Sequence, residues 1–434
     1  MPAGLLLSSV TGIAALMVVL VLFVITWFLS PANLALAEVV LHTPPRYLRR
    51  TLWWHRNIGR KLDQMLQLSQ LGTASRRRNL RFFLERLVPH FGPSPPEFAL
   101  LANDTSYRPI VRTPIELIWV LDGKRPMSVR FSMEMLDDCT GRPLSVEQFA
   151  AATRGVFAPG TGESAKDYDS TWPDICYSTM LDHEWRKRSG DVNKIQFFPG
   201  GEFGPDGITG KLYYYPARAA ATGLHGFDVI GACVSRLGLT EQWAPVIDFL
   251  RANPHYGATP DFVGVEAVAP QRNRFKVYVR ISSDYSSLNE ISRIATLDGG
   301  LRHPAVAETV LSFARFWHLM YPGRRDDEVV PSLRPAGRMG LGRKEVVPKI
   351  YIPAYRFEGN DEHVARVITQ YHRIYDQGGE LEKNYETHFK RIFTGYNLQQ
   401  KLPLIHTYIG MATKNNTTQM TVYLALDPFG VAKT

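Results

Sequence analysis

Three separate stretches of this chain place a cation two residues ahead of a tyrosine within an alternating run: "GKLYYYP" (Lys211, Tyr213), "RFKVYVR" (Lys276, Tyr278) and "PKIYIP" (Lys349, Tyr351). Successive side chains of a strand point to opposite faces, so each cation shares a face with its tyrosine, while Phe275, Val277 and Val279 take the other. In one strand such a polar face is expected to meet water. Its recurrence in three strands calls for something that solvent does not require.

The order of elements supplies a setting for it. Alternating strands are expected at about 114–121 and 126–135, near 192–198 and 210–216, at 261–269 and 272–281, at 336–342 and 346–353, and in a last hairpin over 403–426. Helical periodicity lies between the pairs, for example Leu80, Phe83, Leu84, Leu87 and Val88 in "NLRFFLERLV", and again near 145–156, 219–236, 240–252, 286–297, 304–320, 362–377 and 380–394. The helix-helix-strand-strand order repeats about five times. It predicts an α+β fold whose ten or so antiparallel strands close into a barrel with helices outside. Apolar faces such as Met127, Val129, Phe131 and Met133 then pack outward, and the Arg/Lys/Tyr faces line the lumen. Each pair of like charges there costs about 4 kcal/mol at 4 Å and an effective dielectric of 20. A multiply charged anion is the natural means of offsetting that repulsion.

Composition bears on the partner and the compartment. A formal charge of +9 suits a negatively charged partner. Cys139, Cys176 and Cys233 form no CxxC pair, which argues against a disulfide framework or a zinc site and fits a reducing compartment. Residues 5–29 carry no charge and would reach about 37 Å as a helix, enough to cross a bilayer. The expected organisation is a transmembrane helix over 1–30, a Pro-marked linker over 31–51 and a single barrel domain over 52–434. The basic residues Arg46, Arg49, Arg50, Arg56, Arg60 and Lys61 follow the apolar run, which places the body in the cytosol, with the endoplasmic reticulum as the expected membrane.

"FFLERLVPHFGPSP", "TPIELIW", "VRFSME", "KLYYYP", "RFKVYVR", "PKIYIP" and "HTYIG...TVYL" together resemble the dimethylallyltryptophan synthase family of indole prenyltransferases, over about residues 52–426. The resemblance implies a ten-stranded antiparallel barrel with the reaction chamber in its lumen. It also implies transfer of a dimethylallyl group from dimethylallyl diphosphate to an indole carbon of tryptophan or a tryptophan-derived acceptor, without a metal or other cofactor. Neither a nucleic-acid partner nor a fixed oligomeric state is implied, and a homodimer is left open.

Carried over residue by residue, the resemblance assigns Arg130, Lys211, Arg274, Lys276, Lys349 and Lys414 to the diphosphate. Lys349 stands where some members have Gln, and Lys414 where some have Arg. Charge-assisted hydrogen bonds from these groups would stabilise the leaving group as the C–O bond breaks. Tyr213, Tyr278, Tyr351, Tyr408 and Tyr423 match a tyrosine shield, whose ring faces attract an allylic cation by about 0.5–2 kcal/mol each while keeping water from it. Glu116 would accept the indole N–H. Lys194 would take the proton when aromaticity returns, although "PGGEFGPDG" after it reads as an insertion. The sequence lacks DDxxD, HExxH and GxSxG. "GRMGLGRK" lacks GK[ST] and reads as a strand and turn. Arg76 to Arg78 read as a solvated face.

Overall fold

The structure is a computed structural model that describes residues 30–426, except 95–96, 98–112, 124–126, 160–164, 185–194, 331–332, 334–335, 342–345, 358, 376–377, 402–404 and 415–416. Ten strands run β1 Ile115–Asp122, β2 Ser128–Met133, β3 Phe197–Gly204, β4 Gly207–Tyr214, β5 Thr259–Glu266, β6 Phe275–Arg280, β7 Ala336–Leu341, β8 Val346–Pro353, β9 His406–Lys414 and β10 Thr417–Ala425. Each pairs antiparallel with its neighbour in sequence, and β10 pairs with β1, from Glu116 opposite Ala425 to Asp122 opposite Gln419. The sheet is therefore a closed barrel without edges. The outward residues Val129, Phe131, Phe275, Val277, Ile350 and Leu424 are buried, because helices such as Pro304–Met320 cover that side. Alternation thus predicted both faces.

Two bulges break that alternation, and both serve the lumen. Between the pairs Val422–Ile409 and Leu424–His406, β9 offers Thr407 and Tyr408 against the single Tyr423 of β10. Between Pro260–Val279 and Val263–Val277, β5 offers Asp261 and Phe262 against the single Tyr278 of β6. An extra residue of this kind turns two consecutive side chains towards one face.

The expected strand near 192–198 lies instead at Phe197–Gly204, and "PGGEFGPDG" is no insertion but most of β3 and its hairpin. Its glycines hid it. A Cβ on Gly200 would come within 2.6 Å of the Phe131 carbonyl, and one on Gly201 within 2.7 Å of the Phe131 ring. Glycine is needed where β3 crosses β2 so closely.

The expected linker over 31–51 is also corrected. Pro31–His42 and Pro45–Trp54 are helices whose prolines occupy the first turn, where a missing N–H costs nothing. Ser30 caps the first by accepting from the Asn33 N–H at 3.2 Å, and Ala32, Ala35 and Val39 are buried against the body. The Arg76–Arg78 run is only in part a solvated face: Arg77 is exposed, while Arg76 and Arg78 are half-buried. Arg76 pairs with Asp63 at 2.7 Å, Arg77 pairs with Glu38, and Arg78 donates to the Pro205 carbonyl. The expected membrane span over 1–30 lies, but for residue 30, outside the described residues; among those described, no helix is long and apolar enough to cross a membrane. The three cysteines are free thiols, with the Cys176 and Cys233 sulfurs 3.7 Å apart in the outer layer.

Candidate active site

Even-numbered strands run parallel around the barrel, so their inward residues align in tiers about 7 Å apart, two residues at about 3.3 Å each. Arg130, Lys211, Lys276 and Lys349 form the first tier. Ser132, Tyr213, Tyr278 and Tyr351 form the second. Glu134, Tyr215 and Arg280 form the third. Odd strands interleave with them, Glu202 lying opposite Arg130 in register, Glu266 opposite Lys211 and Glu116 opposite Ser132.

The first tier is more than a cluster of cations. Glu202 accepts from Arg130 at 2.7 Å and from Lys211 at 3.0 Å. Glu266 accepts from Lys276 at 2.8 Å and lies 4.0 Å from Lys211. Burial opposes ionisation of both carboxyls, but Lys211 and Arg130 around Glu202, and Lys276 and Lys211 around Glu266, hold each well below the usual carboxylate range. Lys211 itself is pulled below its ordinary value, by burial first and by Arg130 second, with the two carboxylates opposing that shift. The ion pairs persist because each carboxylate meets two cations. Repulsion among the cations is therefore relieved in part by protein groups, and not by a bound anion alone. Four cations against two carboxylates still leave an excess of two positive charges.

Lys349 reaches across β9 to donate to Thr421 of β10. It can do so because Gly410 has no side chain: a Cβ there would lie 2.6 Å from Lys349 Cε and 2.7 Å from Tyr351 Cε1. Gly264 makes similar room for the Tyr213 ring, 2.9 Å from where its Cβ would stand. Arg274 precedes β6 and is exposed at the rim, yet its charge still contributes to holding Glu266 ionised. Lys414 is exposed at the end of β9. Lys194 lies outside the described residues.

All five predicted tyrosines come together. Ring centroids are 6.3 Å apart for Tyr213–Tyr278, 5.8 Å for Tyr278–Tyr351, 5.9 Å for Tyr351–Tyr423 and 6.4 Å for Tyr408–Tyr423. Sequence reasoning missed two further members. Phe198 stacks on Tyr213 at 4.7 Å and Phe262 on Tyr278 at 4.2 Å. Phe262 is brought inward by the β5 bulge, which strict alternation does not foresee. Phe198 belongs to the strand that was placed too early.

Opposite Ser132 in the tyrosine tier, Glu116 accepts from Thr407, which the β9 bulge turns inward, and from Ser132 at 3.3 Å. Burial raises its carboxyl to about 7 against the pull of those two hydrogen bonds. It sits at a chamber with about 1000 Å³ of space free of atoms, mouth included, which all five tyrosines also line. That is the size of a small-molecule site. A carboxylate with spare lone pairs can take an N–H or O–H from a ring placed there. The arrangement can hold a diphosphate on one tier, shelter a carbocation on the next and orient a hydrogen-bonding aromatic on Glu116 beside it. Among the described residues, the group most able to gather a metal, Asp137, Asp138 and Cys139, does not line this chamber.

Comparison with known proteins agrees with this architecture. The chain is 23% identical over 399 residues to 4-O-dimethylallyl-L-tyrosine synthase of Claviceps purpurea, covering 85% of this chain and 86% of that protein. It is 24% identical over 425 residues to xanthone prenyltransferase A of Emericella nidulans, covering 86% and 92%. The crystal structure of NotF in complex with brevianamide F and DMSPP superposes with a TM-score of 0.74 at 18% identity, covering 90% of this chain and 97% of that one, a likeness of fold. The model of the tryptophan dimethylallyltransferase family matches residues 50–388. The chain belongs to that family of prenyltransferases.

Proposed function

We propose that this enzyme transfers a dimethylallyl group from dimethylallyl diphosphate to a carbon of an indole acceptor. The observation that carries the reading is the stacking of tiers: an excess of two positive charges, a continuous aromatic wall, and a buried hydrogen-bond acceptor in Glu116. The first tier draws off the diphosphate as the C–O bond breaks, which does the work that a metal ion does elsewhere. The rings then hold the allylic cation until the electron-rich carbon attacks it, forming the C–C bond. Loss of the proton from that carbon restores aromaticity. Lys194 is the base that the resemblance assigns.

An indole N–H fits Glu116, and so does a phenol. The phenol reading is favoured by one observation, the similarity to a 4-O-dimethylallyl-L-tyrosine synthase and a xanthone prenyltransferase. Incubation with dimethylallyl diphosphate, EDTA and a panel of indoles and phenols tests both. Prenylated indole supports the first reading and prenylated phenol alone the second. Donor binding without any product would leave a non-catalytic binding protein.

A single-pass anchor over 1–30, with the body in the cytosol, is a further proposal, resting on the uncharged run and the basic residues after it. Because the helix Pro31–His42 packs on the body, such a span would enter it with little slack. Carbonate extraction of cell membranes tests it: the full chain is expected in the pellet, and release into the supernatant would contradict it.

A further inference from the structure

The acceptor end of the lumen carries charges that the diphosphate does not explain. Among the described residues, three carboxyl side chains, Glu116, Glu134 and Asp261, line the acceptor chamber against one guanidinium, Arg280. Arg280 is already engaged, its Nε donating to Asp261 at 2.8 Å. The lysines of the first tier are no help at this end. Lys276 and Arg280 are four residues apart on β6, about 13 Å along the strand, with the tyrosine tier between them. The carboxyls also act on the same space: the Tyr215 hydroxyl is pushed well above its ordinary range, by burial first and then by Asp261 and Glu134. Bulging of β5 is what brings Asp261 inward beside Phe262.

An aromatic seated on Glu116 therefore presents its substituents to the carboxyls of Glu134 and Asp261, the second of which occupies Arg280. A carboxylate there would meet Glu134 and Asp261 and, among the described residues, could reach a cation only by displacing Asp261 from Arg280. An ammonium or an uncharged substituent meets no such opposition. Resting on the prenyl-transfer reading above, we infer that the chamber selects aromatic acceptors without a free carboxylate, neutral or amine-bearing, and discriminates against free amino acids. Asp261 is the specificity-determining residue of this selection.

The test uses matched ring systems: tryptophan, tryptamine and 3-methylindole, and tyrosine, tyramine and 4-methylphenol. Binding of each to the full protein, saturated with the unreactive dimethylallyl thiolodiphosphate at pH 8, is measured by calorimetry, and product formation is then followed with the true donor. In at least one ring series the carboxylate-free members should bind tenfold or more tightly than the amino acid. Asp261→Asn, which leaves Arg280 without its counter-charge, should narrow or reverse the gap; a melting curve verifies that the variant is folded, and Glu134→Gln gives a second reading if it is not. Equal or tighter binding of the amino acids, or no binding by any member, overturns the inference. The stated preference without product from any acceptor leaves the selectivity standing and overturns the prenyl-transfer reading instead.

Discussion

Glu202 of β3 holds Arg130 of β2 at 2.7 Å, so a diphosphate entering the first tier must compete with a carboxylate for the same guanidinium. The carboxylate also keeps the cations compatible with folding. Binding is thus an exchange of anions, and the strength of the exchange can be measured.

Replacing Glu202 by Gln should separate the two roles. The amide still accepts a hydrogen bond but no longer neutralises Arg130 and Lys211. Stability in denaturant is expected to fall by about 1–3 kcal/mol, since the pair is mostly but not wholly removed from water. Affinity for inorganic pyrophosphate is expected to rise tenfold or more, measured by calorimetry. Weaker pyrophosphate binding would mean that Glu202 orients the cations rather than competing for them.

Position in the barrel grades the six assigned cations. Lys211→Ala and Lys276→Ala remove buried first-tier donors and should each lower turnover of dimethylallyl diphosphate about 10²-fold, the scale of losing one donor to a developing anion. Arg274→Ala, at the rim, should cost about tenfold or less on the same scale. Lys414→Ala, exposed at the end of β9, should cost under about threefold, as expected for a solvent-screened charge. Steady-state rates at one ionic strength check the ranking, and a loss at Lys414 as large as that at Lys276 would refute it.

Glu116 sets a pH dependence whose sign follows from its raised carboxyl, at about 7. The folded protein keeps between roughly pH 4.5 and 7 a proton that the unfolded chain releases. The resulting stabilisation, on the order of 3 kcal/mol, is complete below the unfolded value and is lost as pH rises through 7. Activity runs the other way, because the ionised group is the stronger acceptor of N–H or O–H. Because kcat/KM for the acceptor reports the free enzyme, it should rise through about pH 7, and Glu116→Gln should lower it while flattening that limb. A limb that survives the substitution belongs to another group.

How much of this was legible depends on alternation. The cation and tyrosine of each even strand are two residues apart, so Lys211 with Tyr213, Lys276 with Tyr278 and Lys349 with Tyr351 announced both the barrel and two of its tiers. Where the backbone departs from period two, the reading failed. Phe262 and Asp261 enter the lumen at one bulge and Thr407 at another; Pro260 and Gly264 in "TPDFVGVE" and Gly410 in "HTYIG" are residue types that accompany bulges, but they do not fix which side chains turn inward. Glu266 stands at an inward position, but a carboxylate beside expected phosphate ligands is understood only once the charges around it are counted. Proline misled twice at the N-terminus, since Pro31 and Pro45 start helices as well as they punctuate a linker.

Glycine tests the packing of the tiers. Gly410→Ala would drive a methyl group into Lys349 and Tyr351, at 2.6 and 2.7 Å. Overpacking of this kind costs about 1–3 kcal/mol. Activity should fall further than stability does, by more than about tenfold, because both displaced side chains face the diphosphate and the cation. Thermal melts alongside donor turnover decide it, and unchanged turnover would place Lys349 outside the reaction.

Product analysis tests the central claim most directly. Purified protein is incubated with dimethylallyl diphosphate, EDTA and tryptamine or 3-methylindole, and wild type is compared with Tyr351→Leu. Wild type should yield C-prenylated aromatic with little dimethylallyl alcohol, and the variant should divert flux to the alcohol as water reaches the unshielded cation. Diphosphate release into alcohol alone by the wild type, or no release at all across the acceptor panel, would contradict an aromatic prenyl transfer carried out inside this barrel.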